Sequence, residues 1–196
     1  MTPTPRIVLA SVSVYRSALL RRLGLPFATI APGVVETEIP GEEPRVRARR
    51  LALAKARAVA EHHPGWIVIG SDQVASIQSP NGFTVLHKPG DKATCRRQLS
   101  AMSGGTARFD TAVAVIKGDR KLVHVDLTQV HFRNLIGAEI DRYIEREPAF
   151  DCAGGFKCEG LGVTLFESIE SHDPTALVGL PLIWLCGALR QLGVSV

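Results

Sequence analysis

Continuous apolar runs alternate along this chain with segments whose apolar positions recur every three or four residues. That is the pattern of buried strands set between amphipathic helices. RIVLA (6–10) reads as a first strand. The helix after it takes Ser11 or Ser13 as its cap, Leu19, Leu20 and Leu23 as its apolar side and Gly24 as its stop. PFATIAPGVV (26–35) predicts a second strand running into the acidic loop ETEIPGEE, after which Pro44 opens a long helix, PRVRARRLALAKARAVAEHH. WIVIGSDQVA (66–75) is unbroken enough to be buried on both faces. HKPGDKATCRRQLSAMSGG gives a loop, a helix and a stop at Gly104 and Gly105. A β-hairpin is expected around Lys117–Gly118–Asp119, then a helix over GAEIDRYIERE (137–147), a strand in GVTLFESIE and a last helix from Pro181. Mixed strands and helices with one hairpin predict an α/β fold on a mixed sheet.

Length and composition narrow this only a little. The 196 residues suit a single domain, 1–196, or one divided into two lobes. A 45% hydrophobic content supports a real core, and disorder is not expected. The formal charge of +4 favours an anionic partner without choosing one. MTPTPRIVLAS lacks a secretory h-region, and the apolar tract ALVGLPLIWLCGAL (176–189) is broken by Pro181 and shorter than the ~20 residues of a membrane span, so a cytoplasmic protein with no membrane partner is expected. Cys95, Cys152, Cys158 and Cys186 have neither CxxC nor zinc-knuckle spacing.

Several polar residues stand where chemistry could use them. Arg16 lies in the first turn of a helix, either simply solvated or facing an anion that the helix start would also attract. Lys55 interrupts an apolar helix face made by Ala48, Leu51, Ala52 and Val59, whereas Arg47, Arg50, Arg57 and Glu61 fall on the other side. It either snorkels or meets an anion inside. Asp72 follows the WIVIGS strand, where a carboxylate can hold Mg²⁺, act as a general base or simply cap a turn. Glu36 sits on a loop after another apparent strand. Lys88 precedes Pro89 in a loop, and DCAGGFKCEGLG (151–162) joins flexible glycines to Lys157 and Glu159 without forming a GxxxxGK[ST] phosphate loop. Asp173 before Pro174 reads as a turn residue.

In order and spacing, LASVSVYRSALL, LALAKA, GSDQV, HKP, FDCAGGFKCEGLG and DPTALVGLPLIWLC resemble the blocks of the Maf family of nucleoside triphosphate pyrophosphatases, from Ile7 to Leu192. GSDQV with CAGGFKCEG looks like the branch acting on 7-methyl-GTP, as against the dTTP and UTP branch. The chain departs from the family pattern at Val14, where proline is usual, at Val35, where an acid is expected, and at His87, where glycine is common. The resemblance implies a mixed twisted sheet with flanking helices, two lobes around a nucleotide-binding cleft, as in the Maf and inosine triphosphatase-like proteins. It implies that Ser13, Arg16, Lys55 and Lys88 bind phosphates and that Asp72 accepts the proton of the attacking water. Tyr15, Gln73 and Lys157 would tune base choice, with Glu36 and Glu159 as further acidic residues. Asp72 and Glu36 would meet a divalent cation, Mg²⁺ or Mn²⁺. A nucleotide is the implied partner and a homodimer an assembly the family makes common. A rival of another class is a basic nucleic-acid-binding module, motivated by the arginine-rich helix 45–57. It is disfavoured because no aromatic residue interleaves with those arginines to stack bases. A division-linked regulatory role, also associated with the family, is a second rival.

Overall fold

The computed structural model describes residues 6–80 and 82–196. Its elements are β1 (Ile7–Leu9), α1 (Val14–Arg21), β2 (Phe27–Thr29), α2 (Pro44–Ala60), β3 (Ile67–Ser79), β4 (Gly82–Leu86), α3 (Lys92–Met102), β5 (Thr106–Lys117), β6 (Arg120–Phe132), α4 (Gly137–Arg146), β7 (Phe166–Ser171) and α5 (Leu182–Gln191). The expected α/β fold on a mixed sheet is what forms, with parallel pairing at β1 and antiparallel pairing at β4 and β7.

Three expectations need correction. The second strand is only Phe27–Thr29, and the stretch from Ile30 to the acidic loop is irregular. The strand begun at Ile67 runs on to Ser79 and turns back as β4, a hairpin the apolar pattern did not reveal. The ladder closes with Ser79 opposite Gly82, so the connection falls at residues 80–81, and Asn81 lies outside the described residues. GVTLFESIE is strand only from Phe166, and Leu161–Leu165 is a short 3-10 turn.

The chain divides into two compact units. The first contains residues up to Gln73, Thr111–Asp126 and Asp173–Val196. In it β1 lies between β2 and β3, parallel to both, with Ile7 opposite Phe27 and Ile67. One face of this sheet builds a core from Ile7, Leu9, Ile67, Ile69, Val113 and Val115 with Leu19 and Leu20 of α1 and Leu185, Ala188 and Leu189 of α5. Ser13 caps α1, its side chain accepting the Arg16 backbone N–H at 3.4 Å, and the helix opens at Val14. The second unit, Val74–Asp110 and Leu127–His172, holds β4, β7, α3 and α4. Its interior is organised by Phe109, Phe132, Phe156 and Phe166, whose rings meet edge to face at centroid distances of 5.0–5.5 Å.

Candidate active site

Because side chains alternate across a strand, β3 serves two surfaces of the first unit. Ile67 and Ile69 enter the core beside α5. Ser71 and Gln73 continue that face and reach the loop after Asp173. Gly70 and Asp72 face α2 instead. Gly70 permits a very close approach: a Cβ there would lie 2.4 Å from the Ala52 carbonyl oxygen and 2.6 Å from the Ala56 backbone nitrogen. That contact sets α2 against the strand, and Lys55, on the buried stripe of α2 with Ala48, Leu51, Ala52 and Val59, arrives beside Asp72.

Lys55 is therefore not snorkelling, nor is Asp72 a cap or a turn residue. Lys55 is 7% exposed and Asp72 6%. The ammonium donates to Asp72 Oδ1 at 2.6 Å and pairs with Glu36 Oε1 at 2.6 Å. Glu36 is held there by its loop: Arg47 pairs with Glu38, and Arg50 grips both oxygens of Glu42 at 2.6 Å while donating to the Thr37 carbonyl. Two arginines of the basic helix thus fasten an acidic loop of the same chain, which removes part of the motive for reading that helix as a nucleic-acid surface. Arg16 Nε donates to the Gly179 carbonyl at 2.9 Å. Burial lowers the guanidinium pKa, and Asp72 and then Glu36 oppose that shift; a guanidinium is too weak an acid to lose its proton in a protein and remains a cation. Burial likewise raises the Asp72 carboxyl above the ordinary carboxylate range, against the pull of Lys55 and Arg16, with Glu36 adding to the rise. The first unit thus gathers Arg16, Glu36, Lys55 and Asp72 as two cations interleaved with two carboxylates, of which Asp72 is buried, and Ser13 caps the helix that carries Arg16.

Gln73 is fixed on the other face of β3. Its Nε2 donates to Thr111 Oγ1 at 2.8 Å and to the Ala176 and Leu177 carbonyls at 3.1 and 3.0 Å. Thr111 in turn donates to Ala176 O at 3.0 Å, which leaves its oxygen as an acceptor for the amide. This arrangement fixes the amide orientation and leaves the carbonyl Oε1 as the group Gln73 can offer a ligand. Tyr15 stands half-buried beside Arg16 in the first turn of α1.

Lys88, Lys157 and Glu159 belong to the second unit. Lys88 and Glu159 are exposed. The stretch 151–162 is folded on its own backbone: the Lys157 carbonyl accepts the N–H groups of Gly160 and Gly162, and the Lys157 N–H donates to the Tyr143 hydroxyl. Gly155, at φ +74, passes so close to Cys95 that a Cβ would lie 2.7 Å from its sulfur. Cys95 and Cys158 are free thiols, pushed up to about 11 and about 12, chiefly by burial. Both are expected to stay protonated at pH 8 and to be alkylated by iodoacetamide at least tenfold more slowly in the folded protein than after unfolding. Peptide mass spectrometry over a time course checks this, and equal rates would refute it.

Among the described residues no group of three or more His, Cys, Asp or Glu is arranged to hold a metal ion, and no helix is long and apolar enough to cross a membrane. Pattern reading missed Ser71, Thr111, Thr175 and the carbonyls of residues 176–179; small hydroxyls and backbone oxygens leave no periodic signal. It also undervalued Asp173, which is buried and accepts hydrogen bonds from the Thr175 N–H and hydroxyl and from the Ile183 N–H.

A family profile described as Maf-like protein matches residues 6–192. The chain is 54% identical to the 7-methyl-GTP pyrophosphatase of Xanthomonas axonopodis pv. citri, covering 98% of this chain and 99% of that one. It is 52% identical to the 7-methyl-GTP pyrophosphatase of a Polaromonas species, over 100% and 89% of the two chains, and 50% identical to that of Bordetella avium, over 100% and 97%.

Proposed function

This chain belongs to the Maf family, and from that premise we propose that it hydrolyses 7-methyl-GTP to 7-methyl-GMP and pyrophosphate. The observation that carries the reading is the buried Lys55–Asp72 pair, flanked by Arg16 and Glu36. Water attacks the α-phosphorus, the α–β bridging bond breaks, pyrophosphate leaves and the water's proton passes to Asp72. A carboxyl raised above the ordinary range is better matched to that proton than a solvated one. Arg16 and Lys55 oppose the negative charge that spreads over the phosphoryl oxygens, and the hydroxyl of Ser13 adds a donor at the start of α1.

Arg16 and Lys55 are already matched by Asp72 and Glu36, so a triphosphate arrives with charge that these four residues do not balance. Asp72 and Glu36 form a hard, two-carboxylate donor set that fits Mg²⁺ or Mn²⁺ when phosphates and water complete the shell. Such an ion supplies charge neutralisation at the phosphates, and these two residues are the ones that would hold it. A panel of 7-methyl-GTP, GTP, dTTP and UTP, assayed for pyrophosphate release with Mg²⁺, Mn²⁺ or chelator, tests substrate and cofactor together. Preference for dTTP or UTP would move the chain to the other branch, and salt-dependent nucleic-acid binding without turnover would favour the non-enzymatic reading.

Base choice is assigned to Tyr15 and Gln73. A 7-methylguanine ring carries positive charge, which an aromatic face attracts by about 0.5–2 kcal/mol. The Gln73 carbonyl accepts from the N–H groups of a base edge. Tyr15→Ala is expected to reduce the preference for 7-methyl-GTP over GTP by roughly tenfold, equivalent to about 1.4 kcal/mol. A ratio of kcat/KM values unchanged by the substitution would rule Tyr15 out as the selector.

Lys55→Met is expected to lower kcat/KM by roughly 10²-fold and to leave the protein folded, because methionine packs beside Leu51 and Ala52, Glu36 is solvated and Asp72 can take up a proton. The sign of the pH effect follows from the charges. Lys55 lowers the Asp72 pKa, so its removal raises it further. The acid limb of kcat/KM moves to higher pH. A limb that stays in place or moves down would show that it does not report Asp72.

A further inference from the structure

We propose that Asp173 and Thr175 are positioning residues for this reaction, acting through the carbonyl oxygens of the loop they hold to orient Arg16 and Gln73. The inference rests on the pyrophosphatase reading and extends it to a segment with no part in the chemistry so far. The sequence offers Asp173–Pro174 as an ordinary turn, but a surface turn does not bury its carboxylate, and Asp173 is 3% exposed. Its Oδ1 accepts the Thr175 N–H at 2.9 Å and the Thr175 hydroxyl at 2.5 Å. Its Oδ2 accepts the Ile183 N–H at 2.6 Å, in the first turn of α5. Thr175 Oγ1 accepts the Leu182 N–H at 2.8 Å and also lies 2.9 Å from the Leu180 carbonyl. Pro181, at the cap position of α5, supplies no side-chain cap, so the two opening amides of that helix are satisfied from the far side of the loop.

The loop so braced turns its own carbonyl groups toward the site. Gly179 O accepts Arg16 Nε at 2.9 Å and lies 2.9 Å from the Ser71 hydroxyl. Ala176 O accepts Thr111 and Gln73, and Leu177 O accepts Gln73. Gly179 has φ +119, a conformation open to glycine, and a Cβ there would sit 3.3 Å from Arg16 Nε. One loop thereby sets the direction of the cation assigned to phosphates and of the amide assigned to the base. The two bonds of Asp173 to the Thr175 and Ile183 backbone amides tie the start of the loop to the start of α5.

A residue that only stabilised the fold would reduce active enzyme and scale every substrate alike. A positioning residue changes the relation between substrates, because Arg16 meets any triphosphate and Gln73 reads the base. The test compares Thr175→Val, which removes the hydroxyl at nearly constant volume, with Thr175→Ser, which keeps it, and with Asp173→Asn. Wild type is first run on the nucleotide panel, and whichever nucleotide it prefers becomes the numerator of the selectivity ratio, so failure of the 7-methyl-GTP assignment leaves this test intact. The expected result is at least a fivefold fall in selectivity for Thr175→Val and Asp173→Asn, with Thr175→Ser within twofold of wild type. A second readout needs no turnover: hydrogen exchange of the Arg16 Nε–H and the Gln73 amide, followed in ¹⁵N-labelled protein, should accelerate at least tenfold in Thr175→Val while the backbone amides of β1 keep their protection. Selectivity and side-chain exchange both unchanged would overturn the proposal, as would a loss in Thr175→Ser equal to that in Thr175→Val.

Discussion

Asp72→Asn is expected to lower kcat by roughly 10²–10⁴-fold, the range associated with losing a general base, and to move Tm by no more than a few degrees. The amide is isosteric, cannot take the water's proton and is a poor ligand for a hard cation. The small effect on stability follows from the sign of the pKa shift. A carboxyl raised by burial binds its proton more tightly in the folded than in the unfolded chain. Its ionised form therefore costs stability, absent below the unfolded pKa and fully present above the folded one. At neutral pH the substitution removes that cost while depriving Lys55 of one partner, and Lys55 keeps Glu36. The two effects oppose each other. Near wild-type turnover in metal-replete buffer would remove Asp72 from its assigned role, and a collapse of Tm would show that the pair is mainly structural.

Gly70→Ala is expected to destabilise the protein by about 3 kcal/mol, at the upper end of the usual cost of overpacking, and to depress activity beyond the loss of folded material. The added methyl would meet backbone atoms, Ala52 O and Ala56 N, as well as the Ala56 methyl at 2.9 Å. A flexible side chain could turn away, but a helix backbone must shift as a body, and α2 carries Lys55. Trimming the visible neighbour does not help: Gly70→Ala combined with Ala56→Gly should remain destabilised, because two of the three close atoms belong to the backbone. Urea denaturation of the single and double variants measures this. Full recovery in the double variant would show that the methyl contact alone matters.

Much of the first unit was legible in the sequence, for physical reasons. The run Ile67–Ser71 is apolar or small because it is covered on both sides, and Lys55 stood out because charge on an apolar helix stripe has to be accounted for. A serine cap was legible from its place before the helix, with Ser11 and Ser13 both offered, and the structure uses Ser13. What was not legible is how Glu36 reaches Lys55, since this depends on Arg47 and Arg50 gripping a loop with no periodicity of its own. The role of Asp173 was hidden in the same way: Asp-Pro reads as a local turn, and its partners at Thr175 and Ile183 are hydrogen bonds of the folded state. Periodicity reports which faces are covered; it says nothing about backbone carbonyls.

The parallel pairing of β1 has a consequence for how the chain folds. Ile7 finds its partner at Ile67, sixty positions further on, and the same core closes only with Leu185, Leu189 and Val194. Every one of these meetings closes a long loop, whose entropic cost grows as about (3/2)RT ln n and is met before the contacts repay it. The first unit is therefore expected to form late. On the ribosome its core stays incomplete until α5 has emerged, and in refolding experiments probes at β1 and α5 should gain protection together, after the β3–β4 hairpin, whose strands are neighbours in sequence.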